Sequence, residues 1–292
     1  MKIVVIGASG LVGSNCLKYF TEQNLSVIGT YFSYQTSNTK YYDTINLENL
    51  ANFDIVSFAP DCIVHCGALT NVDYCEAHED ESYSQNVTST LNLINICKKT
   101  KAKLVFISTD YVFDGQSGPY RETDLLNPVN QYGFHKKMAE EAVQLQLADA
   151  LILRITNVYG DEKRNKNFIA RLIETHKNNL ELHLNLPSDQ YASPVNASDI
   201  AKSLYLLLKN GSKGVYHIAS SDFYNRFSLA SKVLSYLPGN KITILPVLTN
   251  NMNQGAKRPL TGGLLALKFM AEFPDFLFSN VDAYLKNKIH DL

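Results

Sequence analysis

KIVVIGASGLVG, residues 2–13, is the stretch on which the reading of this chain turns. Lys2 opens a continuous apolar run to Ile6, the pattern of a strand buried on both faces. Gly7, Gly10 and Gly13 follow at G-x-x-G-x-x-G spacing, and a helical pattern over 11–23 begins inside them. Such glycines let the backbone turn tightly and bring N–H groups close to a pyrophosphate, while the helix N-terminus adds partial positive charge. Alone, the triplet could be an ordinary tight turn. Its place between first strand and first helix predicts a dinucleotide site.

Outward from this turn the pattern repeats. Continuous apolar runs at 26–31, 61–65, 103–107 and 150–154 alternate with helical stretches at about 47–58, 80–99 and 131–147. This rhythm predicts an α/β fold with a Rossmann-type doubly wound parallel sheet. Beyond about residue 155 the alternation loosens. A helix near 166–177, a helix start at Asn196 or Ser198, and a short strand at 214–218 are expected, followed by short helices broken at LPG, RP and FP. The division expected is a nucleotide-binding domain of 1–155 plus about 194–220. A smaller, interleaved C-terminal substrate-binding domain takes about 156–193 plus 221–292.

Composition narrows the function classes. The net charge of −1 offers no global field for nucleic acid or an anionic membrane, so an anionic ligand must be held locally. Five cysteines, all in the first third and without a C-x-x-C pair, suggest neither a disulfide framework nor a zinc ribbon. The scattered histidines suggest no metal site. With no secretory leader pattern and no apolar run of membrane length, a cytoplasmic protein is expected.

Y-x-x-x-K occurs four times, at Tyr132/Lys136, Tyr159/Lys163, Tyr205/Lys209 and Tyr284/Lys288, so the motif alone selects nothing. Context selects Tyr132/Lys136. This pair follows a buried-type strand ending in Ser108-Thr109, and ligands of open parallel sheets gather beyond strand carboxyl ends. The i, i+4 spacing puts both side chains on one helix face. A lysine one turn away is expected to lower the tyrosine pKa toward neutrality. Thr109 would donate to the same carbonyl oxygen as Tyr132, with hydride supplied by a nicotinamide cofactor. The second strand ends Gly29-Thr30-Tyr31 without a carboxylate to read a ribose 2′-hydroxyl and without an adjacent arginine, so NADP(H) is favoured over NAD(H).

These segments together resemble the extended short-chain dehydrogenase/reductase family, and within it the dTDP-4-dehydrorhamnose reductase group. The carriers are GASGLVGSNCL, PDCIVHCGALTNVDYCE (60–76) with Asn86 beyond it, and KLVFISTDYVFDG (103–115). PYRETDLLNPVNQYGFHKKMAEE (119–141), LRITNVYG (153–160), DQYASPVNASDIA (189–201) and Arg258-Pro259 continue the match. The resemblance implies Thr109, Tyr132 and Lys136 as catalytic residues. Gly7, Ser9, Gly10, Leu11, Val12, Gly13 and Tyr31, with Ala68, Thr70, Tyr132 and Lys136, would hold the cofactor. Asp110, Tyr111, Asn157, Gln190 and Arg258 would meet a nucleotide sugar, the arginine by pairing with phosphate. Read without the resemblance, Tyr111 is equally a core aromatic, Arg258 a surface ion-pair partner and Gln190 a loop hydrogen-bonder. His135 reads as structural, and Asp73 with Glu76 as a helix start.

The chain departs from the group at Asn157, where a tryptophan is usual, and at CGALT (66–70). The expected activity is NAD(P)H-dependent reduction of the 4-keto group of a nucleotide-linked deoxysugar for cell-surface polysaccharide precursors, with a homodimer allowed. Two alternatives stand beside it: an epimerase or dehydratase of the same fold, suggested by Asn157, and a non-catalytic NADP-binding regulatory subunit resembling that of methionine adenosyltransferase.

Overall fold

The computed structural model describes residues 1–48 and 53–289. Its main sheet contains β1 (Lys2–Ile6), β2 (Ser26–Tyr31), β3 (Thr39–Tyr41), β4 (Cys62–His65), β5 (Lys103–Thr109), β6 (Leu151–Ile155) and the late strand Gly214–His217. The spatial order is β3-β2-β1-β4-β5-β6 followed by Gly214–His217, and every pairing is parallel. The order reverses between β1 and β4, where Ile6 lies opposite His65. That reversal opens the crevice in which doubly wound sheets bind ligands.

Alternate residues of β1 feed opposite faces of the sheet. Ile3 and Val5 enter a core with α1 (Leu11–Glu22) and the helix Ala197–Lys209, whereas Val4 and Ile6 enter one shared with later helices. Burying each aliphatic side chain is worth about 1.5–3 kcal/mol, which explains the continuous rather than alternating pattern. A third cluster, including Tyr159, Ile169, Leu172, Leu229, Val233, Val281 and Leu285, lies outside the sheet. Beside it, strands Leu182–Pro187 and Ile242–Val247 pair in parallel, with Leu182 opposite Ile242.

Several elements differ from the expected ones. The helix expected over about 47–58 is α2 (Ile55–Phe58), started by Asp54, whose carboxylate accepts from Val56 and Ser57 N–H; residues 49–52 lie outside the described residues. The stretch expected as one helix over 80–99 is α4 (Glu79–Tyr83), a π-helical turn Ser84–Thr88, and α5 (Ser89–Thr100). A shorter α3 (Val72–Ala77) precedes it, and α6 runs Gln131–Gln146. The π turn aims Asn86 back at the loop after β4. Its amide accepts from Leu69 N–H at 3.2 Å and donates to Leu69 C=O at 3.1 Å, clamping that peptide on both sides. Among the described residues, no helix is long and apolar enough to cross a membrane.

Candidate active site

The glycine turn is built by close approach. Gly7 takes φ +76°, and a Cβ there would lie 2.8 Å from the Gly67 nitrogen. A Cβ on Gly13 would lie 2.3 Å from the Gly7 carbonyl oxygen. Gly13 therefore seats α1 against the turn, whereas Gly7, Ser9 and Gly10 face the cleft. No side chain caps α1 at Gly10, so its first-turn amides remain available to an acceptor. The cleft, about 330 Å³, is lined by these residues together with Tyr31, Phe32, Ser33, Tyr42, Cys66, Ala68, Leu69 and Arg164, among others. Leu11, Val12 and Thr70 are not among its lining residues. Uncapped amides, a glycine cradle that any side chain would fill, and a neighbouring arginine are a donor set that fits a dinucleotide.

Of the three residues expected to be catalytic, Thr109 ends β5 and Tyr132 and Lys136 lie on α6. Thr109 is 7% exposed; its hydroxyl donates to Asp110 Oδ1 at 3.3 Å and accepts from Tyr111 N–H at 3.2 Å. Helix α6 starts at Asn130, whose side chain accepts from Gly133 N–H at 2.9 Å and donates to Lys257 C=O at 2.8 Å. Gly133 then decides how near α6 comes. A Cβ there would lie 2.1 Å from the Tyr111 carbonyl oxygen, so only glycine lets Tyr132 reach the end of β5. The Tyr132 and Tyr111 rings meet edge to face, their centroids 5.8 Å apart.

The expected lowering of the Tyr132 pKa is not what this geometry produces. Burial pushes the phenol well above its usual value, and a hydrogen bond with Thr109 only partly opposes that. Lys136 does not offset it, because its ammonium is engaged elsewhere. Nζ donates to Ile107 C=O at 2.7 Å and sits 3.9 Å from the Phe106 ring centroid. Burial brings Lys136 down to about 7, with Glu140 and Cys66 pulling the other way. The lysine is thus held on the sheet as a buried, readily deprotonated amine.

The remaining predicted residues divide. Asp110 is buried, and its carboxylate accepts from Thr156 (2.7 Å), Gly263 N–H (3.3 Å) and Thr109, tying β5 to the segments after β6 and near residue 263. Tyr111 borders Tyr132. Arg258 donates to Asp73 at 2.8 Å and to Ala256 C=O at 2.9 Å, so the acidic start of α3 is an ion-pair partner as well as a helix start. Glu76 accepts from Gln131 N–H at 2.9 Å, joining α3 to α6. Gln190 donates to Thr249 and Gln254, both at 3.0 Å, within a polar cluster of the smaller part. Asn157 takes φ +38°, a left-handed conformation that asparagine tolerates better than a bulky residue. His135 is buried against Ser82 at 2.8 Å.

Two arginines were missed by sequence reasoning. Arg164 enters the cofactor cleft from the loop after β6, and Arg226 lies over the Phe168 ring at 4.7 Å with Tyr111 near enough to raise its pKa against burial. Neither carries a local motif: Arg164 reaches the cleft, and Arg226 the neighbourhood of Tyr111, only through chain distant in sequence. Among the described residues, no group of three or more His, Cys, Asp and Glu side chains is placed to hold a metal ion.

Reversed strand order, the glycine cradle and the Thr109, Tyr132, Lys136 group at the end of β5 define a Rossmann-type chain of the short-chain dehydrogenase/reductase class. The chain belongs to the RmlD substrate binding domain family, whose model matches residues 1–279. It is 31% identical over 202 residues to the dTDP-4-keto-6-deoxy-D-glucose reductase of Streptomyces niveus, covering 68% of this chain and 69% of that one. It is also 29% identical over 265 residues to the methionine adenosyltransferase 2 subunit beta of Bos taurus, covering 88% and 78%. The crystal structure of dTDP-4-dehydrorhamnose reductase from Bacillus anthracis in complex with NADP is similar over 100% of both chains, at 25% identity and TM-score 0.86.

Proposed function

We propose that this chain is an NAD(P)H-dependent reductase acting on the 4-keto group of a nucleotide-linked deoxysugar, in the making of polysaccharide precursors. The observation that carries the reading is Tyr132, brought against Thr109 at the end of β5 by an α6 that can approach only at Gly133. Gly7, Ser9, Gly10, Tyr31 and Ala68 would hold the dinucleotide along the cleft, the first-turn amides of α1 taking its pyrophosphate. The bound nicotinamide supplies the hydride. Thr109 and Tyr132 orient the substrate carbonyl, and the Tyr132 hydroxyl delivers the proton to its oxygen. A raised pKa keeps that proton in place at neutral pH, which suits an acid rather than a base. Lys136 holds the floor of the site through Ile107 C=O.

The substrate part comprises about 156–193 plus 221–292. Arg258 and the newly placed Arg226 come from that part and lie near Tyr111, whose ring meets Tyr132, and Asn157 and Gln190 belong to the same part. NADP(H) is the preferred cofactor, the protein is cytoplasmic, and a homodimer is its expected assembly. The test is NADPH consumption with dTDP-4-dehydro-6-deoxyhexoses. Turnover supports the reading; cofactor binding without turnover of any keto-sugar nucleotide overturns it.

The similarity to a methionine adenosyltransferase subunit favours one second reading, a cofactor-binding regulatory subunit. Co-purification with a stable partner enzyme, together with full function of Tyr132→Phe, would replace the first reading with this one.

A further inference from the structure

The end of β2 offers no cationic side chain to read a 2′-phosphate: the sequence there runs Tyr31-Phe32-Ser33. The structure supplies the missing cation from elsewhere. Arg164, in the loop between Val158–Tyr159 and the helix Phe168–Lys177, lines the same cleft as Tyr31, Phe32 and Ser33. Its guanidinium carbon lies 4.9 Å from the centre of the Tyr34 ring, so the loop after β2 and the loop carrying Arg164 meet. Lys163 Nζ reaches Ser37 Oγ at 3.5 Å, a second contact across the same seam.

The arginine loop is held in this position by its own bonds. Glu162 Oε1 accepts from the N–H groups of Lys166 (2.9 Å) and Asn167 (2.6 Å), and from the Asn167 amide at 3.0 Å. Asn15 on α1 donates to Asp161 C=O at 3.1 Å, fastening the loop to the helix that begins at the glycine turn. Asp161 also pairs with Lys288 at 2.8 Å. Among the described residues Arg164 makes no ion pair. The acidic residue lining the cleft, Glu81, lies on α4 and accepts from the Tyr74 hydroxyl at 2.7 Å. A guanidinium on the adenosine side of a dinucleotide cleft, stacked on a tyrosine and lacking a carboxylate partner, is matched to a dianionic phosphomonoester.

We propose that Arg164, with Ser33 lining the same cleft, forms the subsite for the ribose 2′-phosphate of NADP(H), so that the charge deciding cofactor choice comes from a loop of the smaller part rather than from the end of β2. This rests on the NADP(H) preference stated above, and the measurement separates the two. Calorimetric titration of the intact protein with NADPH and NADH, and with the fragments 2′,5′-ADP and 5′-AMP, reads the ratio of affinities without any turnover. The wild type is expected to favour the 2′-phosphorylated member of each pair. In Arg164→Ala that ratio is expected to fall by about 10- to 100-fold, the worth of a charge-assisted contact, with Arg164→Lys between the two. A wild type that binds both members alike overturns the NADP(H) preference and the subsite with it. A wild type that discriminates and an Arg164→Ala variant that discriminates equally, or loses both ligands in proportion, overturns the subsite alone.

Discussion

Arg154 on β6 and Glu140 on α6 form a buried ion pair: Nη2 lies 2.7 Å from Oε2, and Nε lies 3.0 and 3.1 Å from the two carboxylate oxygens. The side chains are 3% and 1% exposed. Tyr132, Lys136 and Glu140 follow one another at i, i+4 and i+8 along the buried face of α6. The pair therefore pins the rotation of the helix that carries Tyr132.

Removing one member strands the other. Glu140→Ala leaves the Arg154 guanidinium buried without its carboxylate, and should cost about 3–5 kcal/mol in urea unfolding. Glu140→Ala combined with Arg154→Met should cost less than the sum of the two single changes. An unaltered unfolding midpoint in the single variant would contradict this account.

Gly133→Ala tests the approach of α6 to the end of β5. The added methyl meets the Tyr111 carbonyl 2.1 Å away, so α6 must move. Displacement of Tyr132 by about 1 Å should lower kcat by roughly 100-fold, with a stability loss of about 1–3 kcal/mol. Unchanged kcat would show that the site does not depend on this contact.

Lys136 carries a pH signature. Its folded pKa of about 7 lies below the unfolded value near 10.4, so the folded state binds fewer protons across that window. Its destabilising contribution is complete below pH 7 and fades as pH rises toward 10. Lys136→Met should therefore be more stable than wild type at pH 6, by on the order of a few kcal/mol, with the gain shrinking by pH 9. Chemical unfolding at both pH values reads the difference; parallel profiles would mean that Lys136 titrates as an exposed lysine does.

Tyr132→Phe removes the proton donor and leaves the ring. Single-turnover reduction of a keto-sugar nucleotide should slow by about 10²–10⁴-fold, with KM changed far less. Loss confined to KM would assign Tyr132 to binding alone.

Much of this was legible in the sequence because it is local. Apolar runs buried on both faces marked β1, β4, β5 and β6, and the glycine spacing marked the turn that follows β1. Asn196, one of the two expected helix starts, accepts from Ser198 N–H just inside its helix. The rest depends on distant chain. β3 is a short, part-exposed edge strand with no apolar pattern to betray it. Lys136 was expected to act on Tyr132, but the depth of burial and the position of the Ile107 carbonyl decide where its ammonium goes. Arg164 could not be assigned to the cleft because it stands more than 120 residues beyond β2, and only the fold brings the two loops together.

The strand Gly214–His217 completes the sheet by pairing with β6, yet it is made only after the whole intervening segment. A chain still emerging from the ribosome therefore carries β6 with one unpaired edge while the glycine turn and Tyr132 are already complete. An open edge of a parallel sheet is a template for pairing with other chains. The late pairing thus sets an order of biogenesis: the first six strands of the sheet are synthesised first and their β6 edge is sealed last. During the interval between those events the β6 edge is open to such pairing.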